Sequence, residues 1–351
     1  MILSGGKGTR LRPITHTSAK QLVPIANKPI LFYGIEAIRD AGITDIGIIV
    51  GDTASEIEAA VGDGSKFGVR VTYIQQDAPL GLAHAVKTAK GFVGRDRFVV
   101  YLGDNLITEG VKEFVERFAE RGPNCQILLA HVPNPQDFGV AELSGDRVVR
   151  LVEKPREPKT DLALVGVYMF DETVFAAADA IKPSWRNELE ITDAIQYLID
   201  QGRDVQFQII SGWWKDTGKL EDILEANGML LGRLVTRVDG QVDDRSKLDG
   251  TVVIEKGATI TNSVLRGPLV IGERSRIVDS YVGPFTSISY DVEVRASEIE
   301  HSIVLEGSRI IDVHGRIESS LVGKNVAIER HAKPPKAYRF MVGDYSRIEL
   351  E

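Results

Sequence analysis

The chain has 351 residues, 43% of them hydrophobic, and at roughly 150 residues per domain this length predicts two globular domains. Its 42 lysines and arginines against 50 aspartates and glutamates give a net charge of −8, so it lacks the positive field of a general nucleic-acid-binding surface. The single cysteine, Cys125, excludes an intrachain disulfide framework and a cysteine-rich zinc site. No apolar run approaches the roughly 18 residues of a membrane span, and Met1 is followed by a glycine loop rather than by a signal peptide. We therefore expect a cytoplasmic protein with no membrane partner and no nucleic-acid partner.

Up to about residue 232, short β-branched apolar runs alternate with helical patterns, which is typical of βαβ units on a mainly parallel, Rossmann-like sheet. The predicted strands include 46–50, 69–74, 98–102, 126–131 and 205–210, and the predicted helices include 30–41, 82–90, 111–120 and 191–201. Ligands on such sheets bind beyond the carboxyl ends of the strands. We predict a first, α/β domain over residues 1–232 and look for its site at those strand ends.

Beyond residue 232 the composition changes. The stretch 233–250 is polar, carries four aspartates and is interpreted as a connector, whereas residues 251–351 contain a repeat. Two apolar rows keep a step of 17 residues, namely Ile254, Ile271, Ile288, Leu305 and Val322, and Ile260, Ile277, Val294, Ile311 and Ile328; a third row has Ser263, Ser280 and Ser297. Units such as "IEKGAT" and "VGPFTS" are typical of left-handed parallel β-helices, whose three six-residue sides give about 18 residues per coil. The shorter step predicts a shortened corner. A β-sandwich is the alternative, but sandwiches do not keep one period over five coils.

The motif "LSGGKGTRLRPIT" places Gly5, Gly6 and Gly8 directly after an apolar strand end. Glycines there let backbone N–H groups approach phosphate oxygens without obstruction by a Cβ atom. The dinucleotide fingerprint requires a glycine where this chain has Leu11, and the P-loop requires Gly-Lys-Ser/Thr, so neither fits. With Arg10 and the later Lys20 as cations, the loop suits a triphosphate.

Eight motifs then follow in an order that resembles the sugar-1-phosphate nucleotidyltransferases: "SGGKGTRLRPIT", "KQLVPIANKPI", "YIQQDAPLGLAHAV", "YLGDN", "DFGVAEL", "LVEKP", "RNELEITD" and "GWWKDTG". The resemblance covers the full length and is closest to long members that carry a C-terminal β-helix. It implies attack by glucose 1-phosphate on the α-phosphate of dTTP, giving dTDP-glucose and pyrophosphate for deoxysugar or rhamnose pathways. Such catalysis consists largely of positioning and charge neutralisation.

The resemblance implies Arg10 and Lys20 as the catalytic cations. It implies a nucleotide site formed by Gly5, Gly6, Gly8, Thr9, Arg10, Lys20, Gln21, Gln76, Pro79, Gly81 and Asp104. Asp104 and Asp216 each follow a strand, and Mg²⁺ is commonly held by one or two carboxylates together with substrate phosphates and water. The family uses both aspartates as metal ligands, so we expect a Mg²⁺ cofactor.

Base selection is assigned by resemblance to Gln21 and Gln76, with the backbone of Pro79 and Gly81. A carboxamide offers both a donor and an acceptor, which suits the imide edge of thymine or uracil. Because a missing methyl group is worth only about 1–3 kcal/mol in an apolar pocket, a uridylyltransferase that uses UTP is the main alternative.

The sugar phosphate is assigned by the same resemblance to Asn105, Gly139, Glu153, Lys154, Leu164, Arg186 and Trp214. Glu153 would accept sugar hydroxyl protons, while Lys154 and Arg186 would bind the phosphate. We assign no chemistry to Glu188 and Glu190, and His84, in a predicted helix, is interpreted as structural.

Three histidines, His301, His314 and His331, fall in or beside the repeat. Because β-helices of this kind often carry acyltransferase sites, a bifunctional enzyme that also acetylates an amino-sugar phosphate is a further alternative. A scaffold or sensor without activity is disfavoured by the presence of both aspartates and both cations. The simpler interpretation is an assembly and regulatory module, with the protein a homo-oligomer, a trimer or tetramer.

Overall fold

The computed structural model describes residues 1–6, 8–16, 18–330 and 338–350. Contacts between Cα atoms divide the chain into two compact units. The first comprises Met1–Lys7, Ser18–Leu22 and Ile30–Asp216, and the second comprises Gly8–Thr17, Val23–Pro29 and Thr217–Glu351. No helix among the described residues is long and apolar enough to cross a membrane.

Thirteen strands precede the repeat: β1 (Ile2–Leu3), β2 (Pro24–Ile25), β3 (Lys28–Pro29), β4 (Asp45–Val50), β5 (Arg70–Gln75), β6 (Phe98–Leu102), β7 (Asn105–Ile107), β8 (Cys125–His131), β9 (Gly139–Ser144), β10 (Arg147–Glu153), β11 (Leu162–Phe170), β12 (Val205–Ile209) and β13 (Trp214–Asp216). The α-helices are α1 (Ile30–Asp40), α2 (Ala54–Val61), α3 (Leu82–Thr88), α4 (Lys90–Val93), α5 (Lys112–Arg121), α6 (Thr173–Ala180), α7 (Ile191–Asp200) and α8 (Leu220–Leu231). The listed strand and helix predictions are confirmed to within about two residues at each end.

The first unit is built on a nine-stranded sheet with the order β10-β9-β11-β6-β1-β4-β5, to which β8 adds by pairing with β11 and with β12. The α/β class is confirmed, and pairing is parallel between β1 and both β4 and β6, between β4 and β5, and between β8 and β12. Strand β11, however, is antiparallel to β6, β8 and β9, and β9 is antiparallel to β10. The sheet is therefore mixed, because a hairpin and a returning strand follow the βαβ units. Buried side chains on both faces form two apolar clusters.

Parallel pairing places the carboxyl ends of β1, β4, β5 and β6 at one edge of the sheet. The residues that follow these strands are Ser4, Gly51, Gln76 and Gly103. This edge is where the predicted site residues of the first unit begin.

The second unit contains a three-sided parallel β-solenoid of short strands: β14 (Arg237–Val238), β15 (Gln241–Val242), β16 (Lys247–Asp249), β17 (Val252–Ile254), β18 (Thr259–Thr261), β19 (Val264–Arg266), β20 (Leu269–Ile271), β21 (Arg276–Val278), β22 (Tyr281–Val282), β23 (Thr286–Ile288), β24 (Glu293–Arg295), β25 (Glu298–Glu300), β26 (Ile303–Val304), β27 (Arg309–Ile311), β28 (Arg316–Glu318), β29 (Leu321–Val322) and β30 (Ala327–Glu329). Each strand pairs in parallel with the strand three places later, which forms two six-stranded sheets and one five-stranded sheet. The predicted β-helix architecture is confirmed, while its left-handedness stays a prediction.

The predicted internal rows are correct at first and then shift. Ile254, Ile271 and Ile288 are stacked in register, but the next partner is Val304 rather than the predicted Leu305. In the second row Ile310 replaces the predicted Ile311. The register steps by 16 residues from Ile288 to Val304 and by 18 from there to Val322, because a shortened corner at residues 300–302 is followed by a longer one at 312–315. Averaging over this pair of changes produced the constant step of 17 in the sequence.

The serine row forms a hydrogen-bonded ladder. The Ser280 backbone N–H donates to Ser263 Oγ at 3.1 Å, and the Ser297 N–H donates to Ser280 Oγ at 3.3 Å. Each hydroxyl in turn donates to the carbonyl two residues earlier in its own coil. A small hydroxyl side chain at this corner therefore satisfies backbone groups that would otherwise be buried without partners.

The stretch interpreted as a connector differs from the prediction. Residues 237–249 supply β14, β15 and β16, which pair with the next three strands and form the first coil of the solenoid. Its polar composition has a physical reason, because the first coil has a neighbour on one side only and a terminal repeat exposes its outer face.

Two short N-terminal segments group with the solenoid rather than with the sheet. Within the second unit, Asn27 Nδ2 donates to the Ile288 carbonyl at 2.7 Å. The fully buried Asn227 accepts from the Ala26 N–H at 2.9 Å and donates to the Phe285 carbonyl at 3.0 Å. The Tyr345 ring lies 5.7 Å from the His16 ring and 5.3 Å from Arg12 Cζ.

Candidate active site

The glycine turn after β1 fits against the neighbouring strand ends with no room for side chains. A Cβ atom at Gly5 would lie 3.1 Å from Gln76 Oε1, and one at Gly51 would lie 3.2 Å from the Gly5 carbonyl oxygen. The Ser4 N–H donates to the Ile49 carbonyl at 2.8 Å, which holds the turn to β4. Gly5 and Gly6 therefore expose backbone at the edge of the sheet, as a phosphate-binding turn requires.

Two glutamines flank this turn. Gln21 is 3% exposed, and its Oε1 atom is buried without a hydrogen-bond partner. A Cβ atom on Gly6 would lie 3.8 Å from Gln21 Nε2. Because a buried polar atom without a partner is costly, Gln21 is suited to a ligand that donates a hydrogen bond.

The second glutamine, Gln76, lies 3.0 Å from His84, measured from Nε2 to Nδ1. Gly81 begins α3 with φ +104°, and a Cβ atom there would lie 2.5 Å from the Leu189 carbonyl oxygen. Pro79 is exposed. The segment between β5 and α3 thus passes close to the "RNELEITD" segment.

A buried lysine lies between the two predicted metal ligands. Lys20 Nζ is 2.5 Å from Asp104 Oδ2 and 3.8 Å from Asp216 Oδ1, and the lysine side chain is 7% exposed. Burial acts to raise the pKa of Asp104, but the Lys20 ammonium and the hydrogen bonds it and Asn105 donate outweigh that effect and lower it. The local charge is therefore that of two carboxylates and one ammonium.

The two aspartates meet because of a small separate ladder. Strand β7 pairs antiparallel with β13, which places Asp216 opposite Asn105 and therefore beside Asp104. Asn105 Nδ2 donates to Asp104 Oδ1 at 3.0 Å, and Trp214 Nε1 donates to Asn105 Oδ1 at 2.6 Å. Trp214 also meets the Phe138 ring edge to face at 5.4 Å.

The remaining sugar-phosphate candidates of the first unit form a second group. Gly139 lies opposite Glu153 in the β9–β10 ladder, and a Cβ atom there would lie 3.2 Å from Glu153 Oε2 and 3.4 Å from Leu164 Cδ1. Burial, followed by the nearby Glu190 charge, raises the pKa of Glu153. Lys154 adopts φ +43°, and its N–H donates to the Phe138 carbonyl at 3.0 Å.

Arg186 is surrounded by carboxylates. Its guanidinium nitrogens lie 3.5 Å from Glu153, 3.0 Å from Glu188 and 3.4 Å from Glu190. Glu190 is 3% exposed and also accepts from Ser184 Oγ at 2.8 Å. The sequence alone assigned no chemistry to these glutamates, although their spacing from Arg186 by two and four residues was the available signal.

Gly8, Thr9 and Arg10 belong to the second unit. Gly8 has φ +60° and precedes a short 3₁₀ turn at Thr9–Leu11, and Thr15 Oγ1 donates to its carbonyl at 2.7 Å. A Cβ atom at Gly218 would lie 2.8 Å from Arg10 Nη2. The predicted nucleotide-binding residues are thus divided between the two units.

No group of three or more histidine, cysteine, aspartate or glutamate side chains among residues 1–6, 8–16, 18–330 and 338–350 could hold a metal ion. In the solenoid, His301 Nδ1 lies 3.1 Å from Ser319 Oγ, and the exposed His314 contacts Arg330. His331 lies outside the described residues. The solenoid histidines are therefore not assembled into one site within the part that is described.

Residues 1–232 match the family model for nucleotidyl transferases. A glucose-1-phosphate thymidylyltransferase of Streptomyces griseus is 56% identical over 351 residues, which span 100% of this chain and 99% of the relative. The enzyme of the same description from Streptomyces antibioticus is 55% identical over 353 residues, again spanning 100% and 99%. A crystal structure from Bacillus anthracis, described as a glucose-1-phosphate thymidylyltransferase in complex with sucrose, aligns with a TM-score of 0.62 at 38% identity and covers 65% of this chain and 93% of that one.

Proposed function

The chain belongs to the nucleotidyl transferase family, and from that premise we propose that it transfers a thymidylyl group from dTTP to glucose 1-phosphate, giving dTDP-glucose and pyrophosphate. The observation that carries the proposal is the strand-end arrangement of Lys20 between Asp104 and Asp216, beside the glycine turn, in a chain whose full-length relatives have this activity. Nucleotidyl transfer needs this combination of backbone N–H groups, a fixed cation and carboxylates.

We propose Mg²⁺ as the cofactor. Two carboxylates with no third protein ligand fit a hard cation that takes its other oxygens from phosphates and water. Asp104 and Asp216 would hold the ion, and its contribution when bound is to neutralise phosphate charge. Lys20, with Arg10 from the second unit, would stabilise the charge that develops on the α-phosphate and on the departing pyrophosphate.

The remaining assignments follow the same division. Gly5, Gly6, Gly8 and Thr9 would bind phosphates, whereas Gln21 and Gln76 would recognise the base with the backbone of Pro79 and Gly81. The unpartnered Gln21 Oε1 supports that role, since it can accept the imide N–H of thymine.

For the sugar phosphate, we propose that Lys154 pairs with the phosphate, while Asn105, Gly139, Glu153, Leu164 and Trp214 surround the sugar. Arg186 is already compensated by three glutamates, so it would have to exchange one of them to contact the phosphate. The same ion pairs orient Glu153 toward sugar hydroxyl groups.

Pyrophosphate release, measured for four nucleotides against several sugar 1-phosphates, tests the proposal. We expect the highest kcat/KM with dTTP and glucose 1-phosphate in the presence of Mg²⁺. A clear preference for UTP would replace the thymidylyltransferase by a uridylyltransferase, and no release with any pair would overturn the proposed function.

We propose a homo-oligomer, a trimer or tetramer, with the solenoid as its assembly module; a monomeric mass by light scattering would overturn this. Incubation with acetyl-coenzyme A and glucosamine 1-phosphate tests the acetyltransferase alternative, for which we expect no release of coenzyme A.

A further inference from the structure

His84 lies in the first turn of α3 and faces the end of β5, where Gln76 follows the strand. The 3.0 Å separation between His84 Nδ1 and Gln76 Nε2 is a hydrogen-bond distance. We propose that His84 is a positioning residue that fixes the orientation of the Gln76 carboxamide and thereby sets which nucleotide base is accepted. This rests on the proposed role of Gln76 in base recognition.

The argument begins with the chemistry of the pair. An amide nitrogen only donates, so His84 Nδ1 must accept, which places the imidazole proton on Nε2. The opposite end of the carboxamide, Oε1, then points to the glycine turn, where a Cβ atom on Gly5 would lie 3.1 Å away. Gln76 therefore presents an acceptor at the strand-end edge.

The orientation matters because bases differ in which groups donate. Thymine and uracil carry an N–H at position 3, whereas cytosine carries an acceptor there and an amino group beside it. An inverted carboxamide would present its NH₂ group where Oε1 now lies, and would favour the cytosine pattern. By accepting from Gln76 Nε2, His84 disfavours that inversion and so discriminates against dCTP.

The experiment compares His84→Leu, which removes the acceptor, with His84→Asn, which keeps an acceptor at the δ position. Because a lost polar contact changes selection by a few kcal/mol at most, we expect H84L to lower the dTTP/dCTP ratio of kcat/KM by about tenfold. H84N should restore the ratio to within about threefold, and the KM for glucose 1-phosphate should not change in either variant.

Thr88→Ala is the matched control, since Thr88 Oγ1 bonds only the His84 backbone carbonyl among the described contacts; its ratio should equal that of the unmodified protein. Gln76→Ala should lower the ratio as H84L does, and the double variant should lower it no further, because one contact is removed in each case.

The outcomes separate the two levels of the proposal. If Q76A changes the ratio and H84L does not, His84 has no positioning role while the proposed function stands. If neither variant changes it, the assignment of Gln76 to the base is wrong. As a measurement that needs no variant, ¹⁵N shifts of the histidine ring should show His84 protonated at Nε2, and protonation at Nδ1 would overturn the inference.

Discussion

Lys20 is the most constrained charge of the candidate site, with two carboxylate neighbours and a side chain that is 7% exposed. Asp104→Asn or Asp216→Asn keeps the shape of the side chain and removes one negative charge, so Mg²⁺ would lose a ligand while Lys20 keeps a neighbour. We expect each variant to lose at least about 100-fold in kcat, as when one transition-state-stabilising group is removed. Steady-state kinetics over a Mg²⁺ titration, with circular dichroism to verify folding, measure this.

Asp45→Asn is the control, because Asp45 forms an exposed ion pair with Arg70, away from the carboxyl ends of the strands. It should retain full activity. Near-normal Mg²⁺-dependent turnover in D104N or D216N would refute the metal assignment.

Glu153 gives a prediction about pH. Its folded-state pKa lies above the ordinary 4.5, because of burial and then the Glu190 charge. The carboxyl group therefore contributes stability at low pH, and that contribution is lost as pH rises through the folded-state pKa. Glu153→Gln removes the loss, so its melting temperature should exceed that of the unmodified protein at about pH 8, with no difference below about pH 4.

Activity of E153Q should fall even as its stability rises, since a destabilised polar group at a site is commonly retained for function. Glu142→Gln, on the neighbouring strand β9 and paired with exposed cations, is the comparison. Lower stability of E153Q at about pH 8 would contradict the raised pKa.

At the scale of elements, the solenoid corner with the serine ladder offers a direct test. Ser280→Ala removes the acceptor for the Ser297 N–H and the donor to the Val278 carbonyl. Leaving a buried N–H without a partner costs about 1–3 kcal/mol, so we expect urea denaturation to show a loss of that size in the free energy of unfolding.

Ser320→Ala, in the last coils of the solenoid, removes a hydroxyl whose bond lies to the exposed Glu318 carbonyl. It should cost less than about 0.5 kcal/mol, as surface changes usually do. Equal losses in the two variants would mean that the ladder adds nothing to stability.

The same scale shows what the sequence could predict. The βαβ units and their strand ends were predictable, because buried parallel strands are continuous apolar runs such as "FVVYL". The stacking of Ile254 on Ile271 followed from periodicity. The shift to Val304 could not be predicted, since Leu305 is equally apolar and equally buried. The approach of Asp216 to Asp104 depends on the pairing of β13 with β7, two strands of three residues each, which leaves no periodic signal.

At the scale of the whole molecule, the family match ends at residue 232, but the compact units do not divide there. Asn27 bonds Ile288, Ala26 bonds Asn227 of α8, and Ile14 Cδ1 lies 3.2 Å from where a Gly323 Cβ atom would be. A fragment of residues 1–232 would therefore lose buried partners of its own N-terminal segments. We expect it to be aggregated or inactive by size-exclusion chromatography and pyrophosphate release, and a monodisperse, active fragment would contradict this.

The alternation of the chain between the two units also limits how the protein can be recombined. A single crossover near residue 232 would join a foreign solenoid to N-terminal segments matched to the original one, because Gly8–Thr17 and Val23–Pro29 belong with the solenoid. A viable chimera would have to exchange three stretches of sequence together. Homologous proteins should then exchange this solenoid and these two segments as a single heritable block, even though more than 180 residues separate them in the chain.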